Sequence, residues 1–358
     1  MLSYEVARRI LNDPDHFPAD PRVWEQGIDD SCPVLAMMRW RPNALRNSGP
    51  EHLRYRAPSS TAISEVNLFE LQTTVEQTAI SLINGFCGNG KADLLEQYVW
   101  PLVFTALNAM LGVEPDIGQQ VAAGMAAMFD AGAEAGAGER QLVDALRTQT
   151  EQKRREPHDD VTSRLIYHAN GLTDEEVVHQ LVTFYGAGIE PLVHLISNTL
   201  RTMLTDQGFG DGVFGGSLPT RDALDGVLFT DPPLANFCVT YPRQPIVIED
   251  FWLPAHQPVV ISMAACNNDP NVKSPHGHDG NRSHLAYGAG PHTCPAQDPA
   301  RLIAQNAIDQ LLDALPEIRL AVPEAALAWR PGPFHRALTT LPVEFPASSP
   351  LPAPAQRT

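Results

Sequence analysis

The longest unbroken pattern in the chain begins at Thr173. Thr173-Asp-Glu-Glu176 fits a capping box, in which threonine and glutamate satisfy each other's backbone N–H groups. Apolar residues then recur at Val178, Leu181, Val182, Tyr185, Leu192, Ile196 and Leu200, the three- and four-residue spacing of one helix face. About 30 residues at a rise of ~1.5 Å each give a rod that crosses a whole domain. The rest of the fold must pack around it. In its middle stands Gly186-Ala187-Gly188-Ile189-Glu190-Pro191. Pro191 has no N–H to offer the carbonyl of Ala187, which predicts a kink, and the glycines let another group approach the backbone. Taken alone, this is a buried central helix with a proline in it.

Apolar three- and four-residue spacing marks the chain from about residue 60 to 205 as helix-rich, with a flexible AGAEAGAG turn at 131–138. The polar stretch QTEQKRREPHDD that follows reads as a solvated helix end. Residues 206–297 and 317–345 read as loops and short strands, among them QPIVIEDF and QPVVISM. Between them DPARLIAQNAIDQLLDAL is a helix, with Asp298 as its N-cap and Pro299 at the first helical position. The expectation is a mainly α protein with a smaller β part, in one domain over residues 1–358.

With 43% hydrophobic residues the chain has ample material for a core, which excludes disorder. Its 42 acidic against 25 basic residues, a net charge of −17, repel phosphate backbones and argue against nucleic acid. No apolar run reaches membrane-spanning length and the start lacks a signal-peptide pattern, so the cytoplasm is the expected compartment. The five cysteines (Cys32, Cys87, Cys238, Cys266, Cys294) are widely spaced and form no CxxC, which reads as reduced thiols.

The most specific segment is HLAYGAGPHTCPAQDPARL, with the cysteine loop at 284–297. It places Cys294 in a glycine-rich turn ahead of a helix, where backbone N–H groups favour thiolate over thiol. One lone sulfur ligand suits haem iron better than zinc, which needs three or four protein ligands. The segment resembles the haem-binding signature of cytochromes P-450, Phe-Gly-x-Gly-x-His-x-Cys-x-Gly. Tyr287 stands for the aromatic, Gly288 and Gly290 for the glycines, His292 and Cys294 for themselves, and Ala296 replaces the last glycine. The resemblance continues in order through GPEHLRYR (49–56), LTDEE (172–176), AGIE (187–190), CNNDP (266–270) and WRPGPFHRALTTLPVEF (329–345). Residues 4–22 are similar to the family's B-helix region, so the fold implied is the triangular, helix-rich P-450 fold, shortened at its N-terminus.

The resemblance implies haem b (iron protoporphyrin IX) with Cys294 as the iron ligand. It implies His52, Arg56 and His292 as propionate contacts, and Tyr287, Gly288, Gly290 and Ala187 against the cofactor. Gly188 and Glu190 are placed in the oxygen-activation groove, with Glu190 as the acid of proton delivery. The substrate-facing region is about 23–48, with Trp24, Met37, Met38 and Trp40. Three family features are missing. Pro191 replaces the hydroxyl-bearing threonine after the acid. Gly226 and Phe229 occupy the positions of a paired Glu-x-x-Arg. The propionate arginine after Asp231-Pro-Pro233 is out of register, with Arg243 nearest, and Arg282 is the only match in the shortened segment before the cysteine loop. The activity implied is a monooxygenase that inserts one oxygen atom from O2 into an apolar small molecule, using NAD(P)H through ferredoxin and ferredoxin reductase. Two other readings fit the missing residues: a haem-binding sensor or regulatory protein with little oxygenase activity, and a peroxide-dependent haem enzyme.

Overall fold

The computed structural model describes residues 3–352 apart from 30, 33, 130–134 and 273–280. The helices are α1 (Tyr4–Leu11), α2 (Leu35–Met38), α3 (Gly49–Ser64), α4 (Leu68–Phe86), α5 (Trp100–Leu111), α6 (Pro115–Phe129) and α7 (Ala135–Arg155). They continue as α8 (Val161–Tyr167), α9 (Asp174–Thr205), α10 (Gln207–Phe214), α11 (Thr220–Thr230), α12 (Met263–Asn267) and α13 (Gln297–Ala314). The strands are β1 (Lys91–Asp93), β2 (Asn236–Thr240), β3 (Ile246–Ile248), β4 (Phe251–Leu253), β5 (Val259–Ser262), β6 (Arg319–Leu320) and β7 (Pro342–Glu344). They form three small antiparallel sheets in the orders β1-β7-β6, β2-β5 and β3-β4. The mainly α class is as expected, and no helix among the described residues is long and apolar enough to cross a membrane.

The capping box closes: Glu176 N donates to Thr173 Oγ1 at 3.3 Å, and Thr173 N donates to Glu176 Oε2 at 2.8 Å. From Leu192 to Leu200 every residue of α9 is buried, so the helix runs through the core with apolar neighbours on all sides. It packs against α5, α7, α11 and α13. Burying Val193, Ile196 and Leu200 contributes roughly 1.5–3 kcal/mol each. Two polar residues on this stretch are satisfied locally, Ser197 Oγ donating to Val193 O at 2.7 Å and Thr199 Oγ1 to Leu195 O at 2.7 Å, while Asn198 Nδ2 donates across to Arg336 O at 3.0 Å. The helix continues as one element through Pro191, whose ring forgoes one helical hydrogen bond. Gly188 has a packing reason as well, since a Cβ there would lie 2.9 Å from Leu107 Cδ2 of α5.

Several boundaries differ from expectation. Helices occur ahead of residue 60, as α1 and α3, and the helical part runs on through α10 and α11 to Thr230. The glycines of QGFGDGVF disguise α10, but Asp206 caps it by accepting from Phe209 N at 3.1 Å. Of the AGAEAGAG turn, 131–134 lies outside the described residues, and Ala135 is already helical. The last long helix starts one residue before Asp298, with Ala296 at the cap and no side-chain capping bond. The QTEQKRREPHDD stretch is not simply solvated. Lys153 Nζ meets Asp160 Oδ2 at 2.7 Å with both side chains 6% exposed, and Gln149 Nε2 donates to Gly112 O at 2.7 Å. Asp160 also caps α8, accepting from Ser163 N at 2.7 Å.

Removing one member of a buried ion pair leaves the other charge unpaired. Lys153→Met is therefore expected to lower unfolding free energy by about 3–5 kcal/mol, and Lys153→Met with Asp160→Asn by less, as read by chemical denaturation.

Candidate functional site

One cavity takes its wall from α9 and from the loop ahead of α13, enclosing about 1930 Å³ with its open mouth counted. Ala187, Gly188 and Pro191 face it from α9. Tyr287, Gly288, His292 and Cys294 face it from the loop. The loop's shape follows from its glycines. Gly288 has φ +70° and Gly290 φ +67°, the left-handed region that other residues adopt at a cost. A Cβ on Gly290 would also stand 2.1 Å from the carbonyl oxygen of Leu11 in α1. The wrap is closed by Cys294 N donating to Tyr287 O at 2.8 Å and Thr293 N to Gly290 O at 3.0 Å.

The electrostatics at Cys294 correct the sequence expectation. Burial pushes its thiol above the ordinary value, and the N–H of Ala296 and the charge of Arg56 offset only part of this. The turn alone does not favour thiolate. A metal cation does, because a coordinating thiol loses its proton outright. Cys238 is a second sulfur on the cavity wall, and burial pushes its thiol up to about 12.

Four cationic or imidazole side chains gather at one corner. His52 and His292 face each other with ring centroids 4.2 Å apart, and the Nε2 atom of each is buried with no partner. Arg56 donates through Nη2 to the carbonyl of Thr293. The fourth, Arg46, was missed by sequence reasoning. It is buried, lines the cavity, donates to the carbonyl of Met37 and lies 5.4 Å over the ring of Phe237. Among the described residues no carboxylate pairs with it, and burial lowers its pKa to about 10. Arg243, the expected candidate, donates instead to Asp15 O at 2.7 Å at an exposed position away from the cavity. Linear register pointed to the strand after Asp231-Pro-Pro233, whereas the charge arrives from a distant segment against that strand.

Two further expectations shift. Glu190 does not reach the cavity. Its Oε1 accepts from Arg330 Nη1 at 3.0 Å, its Oε2 stands 3.4 Å from His194 Nε2, and Arg330 Nε donates to His335 Nε2 at 3.2 Å. Burial raises the Glu190 carboxyl, but His194 and Arg330 outweigh it and hold it down to about 2. The acid is ionised and sits behind Pro191. In the 23–48 region, Ala44, Leu45 and Arg46 line the cavity, while Trp24, Met37, Met38 and Trp40 do not. Trp24 packs on Tyr241 with ring centroids 5.9 Å apart, and Trp40 Nε1 donates to Asn47 Oδ1 at 2.9 Å.

An apolar cavity with one glycine-wrapped sulfur, orphaned imidazole nitrogens, the buried Arg46 and the half-buried Arg56 fits an apolar macrocycle with two carboxylates and a central metal. This fold and site are those of the haem-thiolate class that the sequence resembles. No family model matches the chain. It is 27% identical over 358 residues to the monooxygenase PikC of Streptomyces venezuelae, covering 96% of this chain and 84% of that protein. It is 26% identical over 338 residues to 2-hydroxy-5-methyl-1-naphthoate 7-hydroxylase of Streptomyces carzinostaticus, covering 89% and 82%. Its fold matches CYP154C4 from Streptomyces sp. ATCC 11861 with a TM-score of 0.88 at 25% identity, over 96% of this chain and 89% of that one. These similarities support the cytochrome P-450 superfamily for the chain, with an oxidoreductase activity of that type and haem b, the cofactor of those relatives.

Burial, reinforced by the neighbouring arginines, lowers His52 to about 4 and His292 to about 3, from an ordinary 6.5. Between those values the unfolded chain binds protons that the folded one refuses, so stability rises with pH across this window. Haem-free protein is expected to lose stability as pH falls from about 6.5 towards 4. His52→Gln combined with His292→Gln should flatten that slope in a pH series of urea melts.

Proposed function

We propose that the protein inserts one oxygen atom from O2 into an apolar small molecule in the cytoplasm, with electrons from NAD(P)H through ferredoxin and ferredoxin reductase. The observation that carries this is a single apolar cavity bounded by both the Cys294 sulfur and the Ala187–Pro191 wall of α9. Haem, when bound, supplies dioxygen activation and oxygen-atom transfer. The chain supplies the rest. Cys294 holds the iron, with Ala296 N–H and Arg56 tempering the charge on its sulfur. Arg46 and Arg56, with the imidazoles of His52 and His292, hold the propionate carboxylates. Such charge-assisted hydrogen bonds contribute roughly 1.5–3 kcal/mol each. Tyr287, Gly288, Gly290 and Ala187 bound the cofactor space, and Gly188 keeps α9 close to Leu107.

Proton supply is the unusual part. Pro191 offers no hydroxyl, and Glu190 is committed to Arg330, so protons reach this wall through water or a substrate hydroxyl. That same observation favours a second reading, in which hydrogen peroxide is the oxygen source. Peroxide brings its own protons and leaves as water, so it needs no relay from the wall. Turnover with peroxide and no ferredoxin supports the second reading, and NADPH-driven turnover through a surrogate ferredoxin supports the first.

Cys294→Ala is expected to abolish the red-shifted Soret band of the reduced carbon monoxide adduct, while Cys238→Ala and Cys266→Ala retain it. Loss on Cys238→Ala with retention on Cys294→Ala would overturn the ligand assignment. The wild type is expected to release much of its NADPH-derived reducing power as hydrogen peroxide. Pro191→Thr restores a hydroxyl and a helical N–H, and should raise product formed per NADPH consumed. Tight coupling in the wild type would overturn this expectation.

A further inference from the structure

We infer that Asp225 is the positioning residue that fixes the Cys294 loop, closing both of its ends on one buried carboxylate. Asp225 lies on α11 beside Gly226, and it is 0% exposed. Arg301 Nη2 stands 2.6 Å from its Oδ1, and Arg301 Nη1 donates to Oδ2 at 3.1 Å. Arg282 Nε donates to Oδ2 at 3.0 Å, and His284 Nε2 lies 3.6 Å from Oδ1. Arg282 lies just before the loop and His284 is its first residue, whereas Arg301 sits in the helix that follows it. The segment between them is therefore tied at both ends to a single point.

The tie reaches the sulfur through one aromatic ring. The Arg301 guanidinium lies 5.5 Å over the ring of Tyr287, and the His284 ring centroid is 5.6 Å from that of Tyr287. Phe229 meets His284 edge-on at 5.3 Å, so the position that lacks an arginine packs against the cluster instead. The Tyr287 carbonyl then accepts from Cys294 N at 2.8 Å. A second tie has the same destination: Leu285 N donates to Asn267 Oδ1 at 2.7 Å, and Asn267 Nδ2 donates to Leu228 O of α11 at 2.9 Å. A carboxylate this deep costs much desolvation and is tolerated only with its cations in place. Burial raises the Asp225 carboxyl, and His284 and Arg301 more than offset that. The cluster is thus built around an ionised group.

The inference rests on Cys294 as the iron ligand, and its test separates the two. Haem-loaded wild type, Asp225→Asn, Asp225→Glu, Arg301→Gln and Ile83→Ala are compared for thermal stability, for the reduced carbon monoxide Soret band across pH, and for haem release to an acceptor protein. Ile83 is buried in α4 away from the cavity wall and controls for simple destabilisation. Asp225→Asn and Arg301→Gln are expected to show a larger thiol-type band and roughly ten- to a hundredfold faster haem release, the usual scale for groups that orient a metal ligand. Asp225→Glu should recover most of both, and Ile83→Ala should lose stability with a wild-type band. If Asp225→Asn yields no folded protein, Arg301→Gln, whose side chain is 19% exposed, carries the reading. Wild-type band and release rate in Arg301→Gln, or in Asp225→Asn where it folds, would overturn the inference. A thiolate band retained by Cys294→Ala would overturn the ligand reading beneath it.

Discussion

The Cys294 sulfur stands where its surroundings oppose its charge, and much of the architecture can be understood from that conflict. A thiol buried in an apolar cavity keeps its proton unless a cation compensates. The chain offers one N–H, from Ala296, and the nearby charge of Arg56. These are insufficient alone, so on the proposed reading the decisive charge comes from the metal. Such an arrangement depends on placement, since a sulfur displaced by an ångström loses a ligand bond. The two left-handed glycines, the Tyr287 carbonyl and the buried Asp225 cluster all act on that placement.

On the facing wall, packing and chemistry share the same residues of α9. Gly188 admits Leu107, and Ala187 and Pro191 bring no side-chain donor to the wall. Glu190 is adjacent in sequence yet turned to the other side of the helix, into an ionic contact with Arg330. One residue step along a helix rotates a side chain by about 100°, enough to divide wall from interior.

What the sequence made legible was local. The Thr173 capping box, the glycine turn before Cys294 and the His52–Arg56 spacing on α3 each lie within a few residues of one another, so spacing carries the geometry. The unforeseen contacts join distant segments. Arg46 meets Phe237, Glu190 meets Arg330, and Asp225 meets Arg282 and Arg301, none of which follows from any periodicity. Composition also misled in two places. Glycine-rich α10 looked like a loop, and charged α7 looked solvated although Lys153 is buried against Asp160. The aromatic and methionine residues near Trp24 and Trp40 suggested a substrate surface, but their ring partners and hydrogen bonds build the shell around the cavity.

The close approach of Gly290 to the Leu11 carbonyl has a consequence in time. During synthesis α1 emerges long before the cysteine loop, so the surface against which the loop is moulded waits for its partner. Contacts between such distant parts of a chain form late, because closing the intervening segment costs entropy before any contact repays it. The helical centre around α9 can assemble from residues already translated. The pocket is therefore complete only once the cysteine loop has met α1, which makes its final shape a late product of folding rather than a seed for it.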